Sequence, residues 1–282
     1  MFRKVLKYDF RAVGRIWWIL AVSLLWISFI GAFALRFIIS SIANDSFNLY
    51  SLSGIFFVFA CIMAISASGL LSQLIVYYRF YRNFFTDEGY LTFTLPVSRK
   101  TLLLSKTVNA FIWTTLSGIL IAVCFSMFFL ISPPAEFAEE FYSSIFFDLV
   151  GEMFGEILDG WFVLYIIQAL IIGACYMVFS ISLIHFSITM GATVAKKYKL
   201  LAGVGIYYVA NTAISVVAQI IGTFAMLSFD AVFEDFLETA SATAQSIFIA
   251  VVLLIVMIAV AALAAVMYIM TQKRIENKLN LE

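Results

Sequence analysis

Charge is scarce in this sequence: 12% of its 282 residues are Asp, Glu, Lys or Arg, where a soluble domain carries about a quarter. That little polarity cannot cover the 64% of residues that are hydrophobic, so a soluble globular domain is excluded and a polytopic membrane protein is expected. A single histidine, His185, excludes a His-Glu-x-x-His zinc site and most histidine-based catalysis. Packing near the inner end of a span is its expected role, ahead of a proton relay. Cys61, Cys124 and Cys175 all lie inside apolar runs, which suggests small core residues and neither a disulfide framework nor a thiolate metal site. No Gly-x-x-x-x-Gly-Lys-Ser/Thr segment occurs, so the chain carries no Walker-type nucleotide site. The apolar runs also lack a clear Asp or Glu at membrane depth. Ion- and proton-coupled carriers keep ionisable groups there, and an intramembrane aspartyl protease needs two.

What is present is a series of six apolar runs: Ile16 to Ser40, Ser53 to Tyr78, Val108 to Ile131, Trp161 to Phe186, Leu200 to Leu227 and Ile247 to Met270. Each is near or above the ~20 residues that a bilayer-spanning helix needs. Backbone polar groups in hydrocarbon must be satisfied within the segment, and no barrel-type alternation is seen, so the runs read as helices. Trp17, Trp18, Tyr77, Tyr78 and Trp161 mark run ends, where aromatic rings favour the membrane–water boundary. The fold class expected is an all-α membrane protein forming one transmembrane domain over residues 1–282. Residues 1–15 read as a basic amphipathic helix, with Phe2, Val5, Leu6, Phe10 and Val13 on one face and Arg3, Lys4, Lys7 and Arg11 between them. Such a helix suits the plane of the inner headgroups. The run after it is too long for a signal peptide and lacks a small-residue cleavage site.

The net charge of zero conceals a sharp division. Basic residues gather before the first run (Arg3, Lys4, Lys7, Arg11, Arg15), between the second and third (Arg79, Arg82, Arg99, Lys100, Lys106), between the fourth and fifth (Lys196, Lys197, Lys199), and after the sixth (Lys273, Arg274, Lys278). The three alternate loops hold Asp45, seven acids from Glu136 to Asp159, and Asp230, Glu234, Asp235 and Glu238, with no Lys or Arg. The positive-inside rule then places both termini in the cytosol. Arg36 remains near the outer end of the first run, where it can snorkel. Segments 132–160 and 228–245 carry acidic and apolar positions at helical spacing, as in amphipathic helices on the outer surface. Their acidic faces read as solvated surface, ahead of a cation or metal site. Gln73, Asn109, Gln168, Asn211 and Gln219 are the neutral polar residues of the runs. They suit either inter-helix hydrogen bonds or a path for an amphipathic substrate.

The stretch 79–106 is long for a bare connection. Phe80 to Phe85 should continue the second span as helix, Gly89 loosens it, and Pro96 prevents one helix from running through to the third. Ser98 suits the N-cap of a helix beginning at Arg99. Between them Leu91, Phe93 and Leu95 alternate with Thr92 and Thr94, locally a strand pattern, and their side chains call for cover by a partner.

Asp87-Glu88-Gly89-Tyr90-Leu91, then Leu95-Pro96-Val97-Ser98-Arg99, then Leu104-Ser105-Lys106 resembles the cytosolic signature after span two in permease subunits of type-two ABC exporters. Tyr90 stands where that family usually has Thr. The resemblance implies six spans, an N-terminal interfacial helix and a coupling helix that docks on a separate ATP-binding subunit. The expected docking residues are Asp87, Glu88, Gly89, Tyr90, Leu91, Phe93, Leu95, Pro96, Ser98 and Arg99. It further implies two permease copies, identical or related, with two ATPase subunits that bind ATP and Mg, and no cofactor or catalytic site in this chain. Segment 228–245 would include short re-entrant helices. The expected function is export of an amphipathic substrate, such as an antimicrobial peptide, a drug or a lipid, across a bacterial cytoplasmic membrane. The alternative is a non-transporting immunity or sensor subunit that captures peptide at its outer helices.

Overall fold

The computed structural model describes residues 2–43, 49–94, 96–132, 151, 160–195 and 197–277, and they are helical apart from short connections, with no strand among them. Among the described residues seven helices follow in order: α1 (Phe2–Ala43), α2 (Leu49–Phe85), α3 (Asp87–Phe93), α4 (Arg99–Ile131), α5 (Gly160–Val194), α6 (Lys199–Thr239) and α7 (Ala242–Asn277). All but α3 are long and apolar enough to cross a membrane, so the chain is a multi-pass membrane protein. The expected acidic outer segment at 132–160 lies almost wholly outside the described residues.

By contacts the chain forms two compact units, Met1–Arg79 with Val108–Glu156, and Phe80–Thr107 with Ile157–Glu282. In the first, α1 and α4 run in the same direction. Trp17 Nε1 donates to Ser117 Oγ at 2.8 Å, and farther along both helices Ser28 Oγ donates to the Cys124 carbonyl at 2.6 Å. Helix α2 runs against them. Thr114 Oγ1 donates to Gln73 Oε1 at 3.2 Å, while Gly69, a turn earlier on α2, faces Ile121, two turns later on α4. Leu24, Ala32, Val58, Ile65, Cys124 and Phe128 are buried where the three helices meet.

In the second unit α5 and α7 also run in the same direction. Tyr165 Oη donates to the Ser246 carbonyl and Gln168 Nε2 to the Ala250 carbonyl, both at 3.0 Å. Farther along, Phe179 and Leu183 bury against Ala264. Helix α6 returns from α5 through a tight turn, and glycine makes that approach possible. A Cβ on Gly191 would stand 2.2 Å from the backbone nitrogen of Gly203, and one on Gly203 would stand 3.1 Å from Ile188 Cα. No side chain fits there.

Residues 2–15 form the start of α1, which is continuous from Phe2 through its apolar run. Val13 and Asp9 are buried and the Phe10 ring stacks on Trp113 of α4 at 4.6 Å, so part of the amphipathic face packs on protein. In segment 228–245, α6 continues to Thr239, and Ala240–Ser241 separate it from α7. Ser241 Oγ accepts from the Ala244 N–H at 3.4 Å as the α7 cap. Side chains 228–239 lie outside the described residues.

Candidate functional site: the junction of α2, α3 and α4

The polar island of the sequence folds as a helical corner. Helix α2 continues past its apolar run to Phe85, as expected. Thr86 breaks it, donating through Oγ1 to the Arg82 carbonyl at 2.6 Å and accepting through its own carbonyl from the Gly89 N–H at 2.7 Å. The chain turns so tightly that a Cβ on Gly89 would lie 3.0 Å from the Phe84 carbonyl oxygen. Segment 87–93 is then helical, not a strand. Asp87 and Glu88 sit in its first turn, where carboxylates favour the positive end of the helix dipole. Thr92 returns its hydroxyl to the Glu88 carbonyl at 2.9 Å, which lets a β-branched residue sit in a short helix. The alternation left the shape of this element open; Leu91 and Phe93 fall within the helix, and Leu95 follows it, outside the described residues. Ser98 Oγ accepts from the Thr101 N–H at 3.3 Å and caps α4, as expected.

Helix α3 is braced from three directions. Arg82 of α2 pairs with Glu88. With the Asn83 amide oriented so that its carbonyl faces Lys106 and its NH₂ faces Glu88, Asn83 accepts from Lys106 Nζ and donates to Glu88 Oε2 at 3.2 Å. Lys106 is only 7% exposed, so a chain of polar contacts runs from α2 through α3 into the first turns of α4. Phe93 at the end of α3 meets the Phe84 ring edge to face at 5.6 Å, with the Arg99 guanidinium 5.4 Å from its centroid. That guanidinium also donates from one nitrogen to the carbonyls of Ile275 and Glu276, both at 3.0 Å. These carbonyls belong to the last residues of α7, where backbone acceptors lack a partner within the helix and a cation is favoured. Lys100 lies 4.0 Å from the Glu276 carboxylate beside it.

Behind the corner, His185 of α5 is buried and stacks on Phe80, rings 3.9 Å apart and 20° from parallel. Its Nδ1 lies 3.5 Å from Thr107 Oγ1. It is a packed residue, as its single occurrence suggested.

The ten expected docking residues therefore divide. Asp87, Pro96 and Ser98 are exposed. Glu88, Gly89, Phe93 and Arg99 are engaged within the chain, holding the corner together. Leu95 and the side chains of Tyr90 and Leu91 lie outside the described residues. Sequence reading left Asn83 and Arg82 without a role and named Lys106 only as part of the motif. Their contacts depend on the angle between α2 and α3, and spacing within one helix cannot reveal it.

Of the five polar residues of the runs, Gln73 and Asn109 belong to the first unit and Gln168, Asn211 and Gln219 to the second. Gln73 and Gln168 hydrogen-bond neighbouring helices. Asn109 is buried, with Oδ1 unpartnered among the described residues. Asn211 and Gln219 are exposed on α6.

No protein-family model matches this chain, and no curated protein or solved structure matches it.

Proposed function

We propose that the chain is the membrane-spanning permease subunit of an ATP-driven exporter, similar to the type-two ABC group, with ATP and Mg bound by separate ATPase subunits. The observation that carries this reading is the short helix α3, which occupies the motif-bearing connection between the second and third spans and is braced to both of them and to the end of the sixth. A rigid element that projects from a membrane bundle and carries an exposed acidic first residue suits docking to a motor. Movement imposed on α3 would be passed to α2 through Arg82 and Phe84, to α4 through Asn83 and Lys106, and to α7 through Arg99.

In this reading the Lys- and Arg-rich side faces the cytosol of a bacterial cell, two permease copies pair with two ATPases, and the cargo is amphipathic. Asp87, Pro96 and Ser98 meet the ATPase, while Glu88, Phe93 and Arg99 keep α3 in place.

The test is isolation of the chain from its own cell membranes in mild detergent. An ATPase subunit should co-purify, and Asp87→Lys should lose it while leaving helix content and membrane insertion unchanged. Isolation of the folded wild-type chain without any ATPase contradicts the reading.

A further inference from the structure

One side of α1 is basic at its beginning and apolar above. At about 100° per residue, Lys4, Lys7, Tyr8, Arg11, Arg15 and Trp18 fall within an arc of roughly 100°. All six are exposed, Tyr8 at 71% and Trp18 at 64%. Among the described residues none of the four cations forms an ion pair. The same arc continues upward through Val22, Trp26, Phe29 and Phe33, all exposed. The opposite side, with Val13, Trp17, Ala21 and Leu24, is buried against the first unit. The exposed arc therefore changes from apolar to cationic at Trp18 and Arg15.

The position of that change along α1 is informative. Arg15 and Arg36 are 21 residues apart, roughly 31 Å of helix, which matches a hydrocarbon core of about 30 Å. Trp17 bonds Ser117 and Gln73 bonds Thr114, so these polar side chains of α2 and α4 lie at the same level as Arg15. Arg11 then sits roughly 6 Å below that level and Lys7 roughly 12 Å below it, at headgroup depth and just beyond.

We propose that Lys7, Arg11 and Arg15 form a binding site for the headgroups of anionic phospholipids, with the Trp18 indole seated at the boundary above them. The phosphate and its neighbouring anionic group meet the guanidinium groups, and the acyl chains lie along Val22 and Trp26. The upright course of α1 makes this a stack of cations along a lipid that is already held by the apolar arc. Charge complementarity and continuity with the exposed apolar arc favour a lipid over an acidic protein. The inference does not rest on the exporter reading.

The full chain reconstituted in nanodiscs of equal phosphatidylcholine and phosphatidylglycerol, then extracted gently for native mass spectrometry, provides the test. Wild type should retain phosphatidylglycerol in preference to phosphatidylcholine. Lys7→Gln/Arg11→Gln/Arg15→Gln together should reduce that preference about tenfold or more. Lys273→Gln/Arg274→Gln, which removes two cations elsewhere, should leave it unchanged. If the triple variant does not fold by circular dichroism, Arg11→Gln and Arg15→Gln singly should each give a partial loss. Equal retention of both lipids by wild type overturns the proposal. So does a preference that survives loss of the cations, or a stripe that captures an acidic protein and shows no lipid preference.

Discussion

Arg99 serves two helices with one guanidinium: it covers the Phe93 ring and donates to two carbonyls at the end of α7. Arg99→Ala should free those acceptors and loosen the last turn of α7 by about 1 kcal/mol, since the residue is solvent-exposed. Hydrogen exchange of that turn would then quicken roughly fivefold. Arg99→Lys should not restore protection, because an ammonium on a flexible stem cannot both bridge two carbonyls and lie flat over a ring. His185 is the opposite case, a polar ring deep in the fold. His185→Ala should remove the partner of Phe80 and cost about 2–4 kcal/mol, read as a lower unfolding temperature in detergent. His185→Phe should recover most of the loss by keeping the stack. At this scale the sequence was partly legible. A lone histidine in an apolar run pointed to packing, and Ser98 pointed to a helix cap. The roles of Arg82, Asn83 and Arg99 were hidden because each depends on a residue in a different helix, in one case 176 positions away.

At the scale of elements, hydrophobic length carried the reading furthest. Each apolar run became a helix, since chain in hydrocarbon has few other ways to satisfy its backbone. The ends were less legible. Helices α1 and α6 extend well beyond their apolar runs; in α1 the contact of Phe10 on Trp113 holds helix outside the run, and composition does not report such contacts. Segment 87–93 shows the same limit in miniature. Three alternating apolar residues suggested a strand, and carboxylates at the helix start with a Thr92 back-bond made a helix. The α5–α6 turn offers a sharp test. Gly191→Ala would push a methyl into the backbone of Gly203 and should cost about 1–3 kcal/mol, again measured by thermal unfolding. Gly205→Ala, two residues on and facing open space, should be tolerated.

On the scale of the whole molecule, neighbouring spans alternate in direction within each unit, as six crossings require. The segregation of Lys and Arg to one set of loops, with the other set holding carboxylates and no Lys or Arg, gives that alternation a sense, with the α3 corner on the basic side. Membrane character and span number were legible because they follow from composition. The cargo was not legible: its candidate residues, from Gln73 to Gln219, separate into inter-helix bonds, one buried amide and two exposed side chains. The central claim is that α3 meets a motor. A photo-crosslinking side chain placed at Asp87 in intact membranes tests it most directly. The account predicts capture of a protein that is also labelled by a photoreactive ATP analogue, and no such capture from Trp26 on the exposed arc of α1. Absence of an ATP-binding partner at Asp87, in a chain shown to be folded and inserted, would contradict it.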